Sequence, residues 1–163
     1  MTGAVHERGP LRRFQRWAYR RGAPAAPAQV LNRLGVWLFG AGLSPRAWSV
    51  LEVRGRRSGR RISLPVAVAE HGGERYLVAM LGGEPNWVRN VRAADGRAVL
   101  RHGRAQPVRL VEVPVSERAP ILREYLRVAP GARPHFAADR HAPLAEFERI
   151  AGRHAVFRLV PQR

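Results

Sequence analysis

The segment Gly55-Arg56-Arg57-Ser58-Gly59, followed by Arg60 and Arg61, joins small residues to four guanidinium groups and one hydroxyl. Glycine lets a backbone approach a ligand closely, and exposed N–H groups beside guanidinium forks match phosphate oxygens in charge and shape. The segment is therefore a candidate anion cradle; the plainer reading is a solvated hairpin turn that happens to be basic. A second group ends a strand in Gly82-Gly83, sets Pro85 where a helix begins, and places Asn86, Trp87, Val88, Arg89 and Asn90 on that helix. Proline suits a helix start, and a strand ending in glycines at a helix N-terminus supplies unpaired N–H donors and a positive dipole end. Trp87 and Asn90 are three apart and share a face. A Trp87 packed in the core, with Asn90 facing water, is the alternative.

These groups need elements to hold them. Apolar alternation predicts strands at 48–54, 62–69, 75–80, 98–102, 106–113 and 154–160. Turns at His71-Gly72-Gly73 and His102-Gly103-Arg104 make hairpins of neighbouring strands. Helices are expected at 86–94, at 117–128 with Ser116 as cap, and near 144–150, with 129–142 irregular. Residues 1–27 read as a basic leader with a short helix at 11–21, and 28–163 as a single domain. Within that domain Val30, Leu31, Leu34, Trp37 and Leu38 give 29–39 helical apolar spacing. Antiparallel strands with a few helices, and no repeated strand–helix–strand unit, predict a mainly β (α+β) small barrel with helices at its ends.

Composition narrows the chemistry. The 163 residues suit one domain, and the absence of cysteine excludes disulfides, thiolate zinc sites and cysteine nucleophiles. The lack of cysteine suits a reducing cytoplasm, the expected location, and no signal peptide or membrane-spanning window is evident. All 29 basic residues are arginine, and the formal net charge is +17. A total lack of lysine beside abundant Ala, Gly, Pro and Val fits GC-rich coding, yet a field this positive still draws anions. The basic leader and the aromatic helix at 29–39 form a candidate contact with an anionic membrane, or a cap on the barrel. Six histidines show no tight pair at ligand spacing, so no metal is expected. The turn lacks the terminal lysine of a nucleotide-hydrolase phosphate loop, and no glycine triad opens a dinucleotide-binding unit.

Taken together, Gly55-Arg56-Arg57-Ser58-Gly59, the strand at 62–68 around Pro65, Gly82-Gly83 and Asn86-Trp87-Val88-Arg89-Asn90 resemble the deazaflavin-dependent nitroreductase family of oxidoreductases. The resemblance spans about residues 48–113, with weaker likeness at 154–160. It implies a split β-barrel of the flavin/deazaflavin-binding type, coenzyme F420 as cofactor, and hydride transfer to a small-molecule acceptor. It also implies that Arg56, Arg57 and Ser58 take the cofactor's phosphate region. Ile62, Ser63, Leu64, Pro65 and Val66 then run along the ring system. Val78, Ala79, Met80, Leu81 and Asn86, Trp87, Val88, Arg89 and Asn90 complete the envelope, much of it through main-chain groups.

Three departures shape the expected substrate. Leu81 stands where family members often carry a lysine, and Met80 where the nitroreductase branch has a hydroxyl. Pro130-Gly-Ala-Arg-Pro-His-Phe136 replaces that branch's tyrosine-rich segment. A quinone, an activated alkene or a nitro compound thus stays open as acceptor. Arg133 and His135 are candidates to polarise a substrate carbonyl, the other reading of His135 being an exposed loop residue. Trp37 and Phe136 are candidate pocket walls, with ordinary packing as the alternative. Two other functions compete: a split barrel holding flavin mononucleotide (FMN), and a small basic barrel that stacks single-stranded nucleic acid on aromatics. Arginines spread along the whole chain argue against a dedicated nucleic-acid face. Oligomeric state is left open.

Overall fold

The computed structural model describes residues 47–163, together with Leu34, Ala41 and Gly42. The leader at 1–27, most of the helix expected at 29–39, and Trp37 lie outside the described residues. Seven strands run in the order β1 (Trp48–Arg54), β2 (Arg61–Ala67), β3 (Ala69–His71), β4 (Glu74–Val78), β5 (Arg97–His102), β6 (Arg104–Glu112) and β7 (Val156–Pro161). Helix α1 (Asn86–Ala93) lies between β4 and β5, while α2 (Arg118–Val128) and α3 (Leu144–Ile150) fall between β6 and β7.

The strands form one sheet in the order β2-β1-β5-β6-β7-β4-β3, and every pairing is antiparallel. Its two outermost strands, β2 and β3, are joined by the single residue Val68. One residue spans only about 3.5 Å, so the sheet must curl until its edges meet. The result is a split β-barrel. Pro65 sits on β2, an edge strand in that order, where a missing N–H breaks no inner ladder. The tight return from β3 to β4 rests on Gly72 and Gly73, whose φ values of 58° and 78° give the two-residue hairpin its required left-handed pair.

Two cores result. Leu51, Val53, Leu77, Leu100, Val108, Phe157 and Leu159 pack with Val88 and Val91 of α1. Leu122, Tyr125 and Leu126 of α2 and Phe147 and Ile150 of α3 pack with Ala69, Val78 and Val156. Leu122, Leu126 and Phe147 are wholly buried, each worth about 1.5–3 kcal/mol.

Three expectations are corrected. The strand expected at 62–69 is β2 and β3 separated by Val68, because the chain must turn from one sheet edge to the other there. Ser116 does not cap α2: a 3₁₀ turn, Val115–Glu117, precedes the helix, and no side chain caps its start. Part of the segment read as irregular, Pro130–His135, is a 3₁₀ helix.

Candidate cofactor site

The basic turn closes on itself through two backbone bonds: Gly55 N–H donates to the Arg60 carbonyl and Gly59 N–H to the Gly55 carbonyl, both at 2.8 Å. Gly55 is buried, and a Cβ there would meet Ser58 Oγ at 2.8 Å and Ile62 Cδ1 at 3.1 Å, so any larger residue would displace those two side chains from the turn. Ser58 Oγ accepts from the Arg60 N–H at 3.3 Å. The hydroxyl thus shapes the turn from within.

The turn and α1 are one unit. Asn90, 3% exposed, accepts through Oδ1 from the Arg56 main-chain N–H at 3.2 Å and from Arg56 Nη1 at 2.9 Å. Arg56 Nη2 reaches Asn86 Oδ1 at 3.4 Å. A buried amide oxygen must be satisfied, and here the basic turn supplies both donors. Arg56 therefore anchors the turn to α1 through Nη1 and Nη2, while its guanidinium stays exposed and Nε has no partner among the described residues. Asn90 likewise faces the turn instead of water. Arg57 and Arg60 are exposed, and their side chains have no hydrogen bond or ion pair among the described residues.

Helix α1 follows Pro85 as its N-cap residue, with no side-chain cap and no acidic residue in its first turn. Its first N–H groups and positive dipole end are left for an anion beside the turn. Leu64 and Val66 of β2 and Trp87 of α1 are half-buried at the margin of one core. Trp87 also packs on Phe157, ring centroids 5.7 Å apart. Ile62 is 40% exposed, and Ser63 and Pro65 are half-buried on the same strand. Arg89 is exposed and pairs loosely with Glu84 at 4.0 Å. A basic turn beside a half-buried apolar shelf has the charge and shape to suit a ligand with an anionic group at one end and a flat ring at the other.

Other expected residues are placed differently. Val78, Ala79 and Val88 are buried, so their side chains are taken up by the core. The Ala79 N–H donates to Ala155, and its carbonyl accepts from Gly82 N–H and from His154 Nδ1, leaving no main-chain donor for a ligand. Met80 packs at the margin of the core built by α2 and α3, and Leu81 is 38% exposed. Phe136, proposed as a pocket wall, is a core residue: it stacks on His154 at 4.0 Å and 4°. Arg133 Nε donates to the Leu126 carbonyl at 3.1 Å, which ties it to the end of α2.

His135 does border a groove of about 540 Å³, with Gly82, Gly83, Glu84, Arg92, Arg118, Arg153 and His154. Two of these residues escaped the sequence reading. Arg118, 7% exposed, donates from Nε to the Val113 carbonyl at 2.8 Å and from Nη1 to that of His154 at 2.9 Å. Burial lowers its pKa, while Glu112, itself bonded to Arg92, favours the charge. His154 is 4% exposed and donates from Nδ1 to the Ala79 carbonyl at 2.9 Å, since a carbonyl can only accept. Burial lowers its pKa, more than that bond raises it, and Arg153 and His135 add to the depression. One sequence signal for Arg118 existed: it stands four before Leu122 and seven before Tyr125, on the stripe that α2 buries. Among the described residues, no three His, Asp or Glu side chains converge to hold a metal ion.

Residues 28–144 match the family model described as F420H(2)-dependent quinone reductase. No curated protein matches the chain. Among solved structures, one named an F420-H2 dependent reductase is 22% identical with a TM-score of 0.48, over 70% of this chain and 94% of its own. A protein of unknown function from Agrobacterium tumefaciens is 14% identical with a TM-score of 0.54, covering 78% of this chain and 53% of that one. A heme binding protein from Mycobacterium smegmatis is 13% identical with a TM-score of 0.50, over 78% and 51% respectively. At such identities the likeness of the last two is one of fold.

Proposed function

The chain belongs to the F420H(2)-dependent quinone reductase family and is an oxidoreductase of the deazaflavin coenzyme F420; on that premise we propose that it reduces a quinone at the site built on the Gly55–Gly59 turn. The observation that carries this reading is the docking of the turn onto α1 by Arg56, Asn86 and Asn90. That contact sets two exposed arginines, Arg57 and Arg60, beside an uncapped helix start. In this assignment Arg57, Arg60 and the first N–H groups of α1 hold the coenzyme's phosphate. Ile62, Leu64, Val66 and Trp87 supply the apolar shelf for its ring.

When bound and reduced, the coenzyme supplies a hydride. A quinone accepts that hydride and a proton from water, becoming a hydroquinone. An acceptor this electron-poor needs little acid catalysis, which suits a site where His154 is held toward its neutral form by burial. His135, bordering the groove beside Gly82-Gly83, is the group assigned to the quinone oxygen. Arg133 is assigned to placing the 3₁₀ segment that carries His135. The family description names the reduced deazaflavin, so FMN is not carried forward. Nucleic-acid stacking is not carried forward either: among the described residues every Trp, Tyr and Phe is buried or half-buried.

The test is an anaerobic titration with the coenzyme, followed by turnover on a naphthoquinone, an enone and a nitroaromatic. The expected result is fastest loss of reduced coenzyme with the quinone. Replacing Arg57 and Arg60 by alanine should weaken binding by about 1.5–3 kcal/mol for each lost charge-assisted contact, with little change in stability. Tight binding without turnover on any acceptor would point instead to a carrier of the coenzyme. A cytoplasmic location, with peripheral contact between the leader and an anionic membrane, belongs to the same proposal, motivated by the net charge of +17.

A further inference from the structure

His154 is held on every side except one. Its backbone is pinned between two bonds, Ala79 N–H to the Ala155 carbonyl at 2.9 Å and Gly83 N–H to the Arg153 carbonyl at 3.0 Å. Its own carbonyl accepts from Arg118 Nη1 at 2.9 Å. The ring stacks on Phe136, and Nδ1 donates to the Ala79 carbonyl. Gly82 closes one edge: a Cβ there would lie 3.8 Å from His154 Cε1 and 3.2 Å from the Arg153 carbonyl oxygen. The Nδ1 bond decides the tautomer. With the proton on Nδ1, Nε2 of the neutral ring is a bare acceptor. Nε2 has no hydrogen-bond partner among the described residues, and it is not shut away from solvent as the unpartnered Arg123 Nε is. It therefore opens on the groove of about 540 Å³ that His154 lines.

A buried acceptor fixed this firmly and left without a partner calls for a donor. The groove's own donors are committed elsewhere. Arg92 gives its three nitrogens to Glu84 and Glu112. Arg118 serves Glu112 and the carbonyls of Val113, Ala151 and His154. Arg153 is exposed and does not reach Nε2. The donor must come from a ligand, and a carboxylate or a carbonyl cannot serve, since both only accept. A neutral hydroxyl fits. Leu81, Gly82, Gly83 and Ala155 keep the walls beside it small or apolar, which suits a flat ring. We propose that His154 Nε2 is a recognition site for a hydroxyl group, accepting its hydrogen bond while His135 addresses another oxygen of the same molecule. This rests on the function proposed above. The hydroxyl has two sources: a substituent carried by the quinone, or the O–H that the reduction itself makes in the hydroquinone product.

The first measurement is heteronuclear NMR on the full chain with isotope-labelled histidine, the His154 ring being identified by its proton contacts with Phe136 and Gly82. Naphthol should shift the Nε2 resonance, and methoxynaphthalene, the same ring without the donor, should leave it in place. A resonance that ignores both, or answers both alike, overturns the proposal. The second measurement compares kcat/KM for a hydroxymethyl naphthoquinone and its methyl ether, with reduced coenzyme supplied. A site built to accept from a hydroxyl penalises the analogue that lacks it, so a preference of at least about tenfold for the alcohol is expected if the hydroxyl is a substituent. His154→Phe keeps a ring against Phe136 and removes the acceptor, with a thermal melt to check its fold, and should abolish that preference. A preference kept in the variant would make His154 merely structural and overturn the proposal. If the alcohol and the ether react alike, a shift of Nε2 by the naphthohydroquinone, but not by its dimethyl ether, assigns the hydroxyl to the product. Should the variant not fold, the paired ligands on the unmodified chain still decide. Reduction of neither quinone, with naphthol still shifting Nε2, would end the quinone reading and leave the hydroxyl site standing.

Discussion

Replacing Asn90 by alanine isolates the contact on which the site depends. The substitution removes one buried oxygen that accepts from the Arg56 main-chain N–H at 3.2 Å and from its guanidinium at 2.9 Å. A neutral hydrogen bond contributes about 0.5–1.5 kcal/mol and one to a charged group about 1.5–3 kcal/mol. Arg56 is exposed, so water recovers part of the charged bond, and the net cost falls near about 2–3 kcal/mol. For a domain of this size each kcal/mol lowers Tm by about 2–4 °C, giving a fall of about 4–12 °C. The turn also loses its anchor to α1, so coenzyme affinity should drop by about tenfold or more, through loss of preorganisation. Asn90→Asp keeps the acceptor oxygen and adds charge toward Arg56, and should retain most of both. Denaturant melts and coenzyme titrations of Asn90→Ala, Arg56→Ala and the double variant complete the cycle, with a coupling of about 1 kcal/mol or more expected between contacting residues. A fall in Tm with unchanged coenzyme affinity and additive effects would refute the reasoning, leaving Asn90 as core filling only.

Three further outcomes follow from the same geometry. Arg118→Ala leaves the carbonyls of Val113 and His154 without their donor, and should cost about 3–5 kcal/mol by chemical denaturation; a loss below about 1 kcal/mol would show the loops settling onto water. His154 has a folded pKa below its ordinary 6.5, so the unfolded chain binds the extra proton first. Its contribution to stability is full above that value and is lost as pH falls from it toward the depressed folded pKa; His154→Gln should flatten that acid limb in urea melts taken across it. Burial raises the Tyr125 pKa above its ordinary 10.0. Stability should therefore decline as pH rises past that value, less steeply in Tyr125→Phe, and phenolate absorbance from Tyr125 should appear only with unfolding.

Much of the local structure was legible in the chain itself. The limits of β1 and α3 are those the sequence predicts, and α1 ends one residue short of expectation. Period-two alternation, the Gly72-Gly73 pair and Pro85 act within a few residues and need no distant partner. The turn at Gly55–Gly59 and the helix from Asn86 could each be seen as an anion site for the same reason. Their union could not. Arg56 and Asn90 are 34 residues apart, and nothing local says that a guanidinium will be spent on a buried amide rather than left for a ligand. The Val68 link shows the same division: two strands are evident from alternation, but only the strand order β2-β1-β5-β6-β7-β4-β3 makes them opposite edges that a single residue must bring together. Phe136 and His154 stack from segments with no common pattern, and Arg54 and Arg97 come to share a groove only because β1 pairs with β5. Periodicity decides which way a side chain faces along its own element. What stands opposite it is decided by packing between distant elements, and so by the tertiary structure alone.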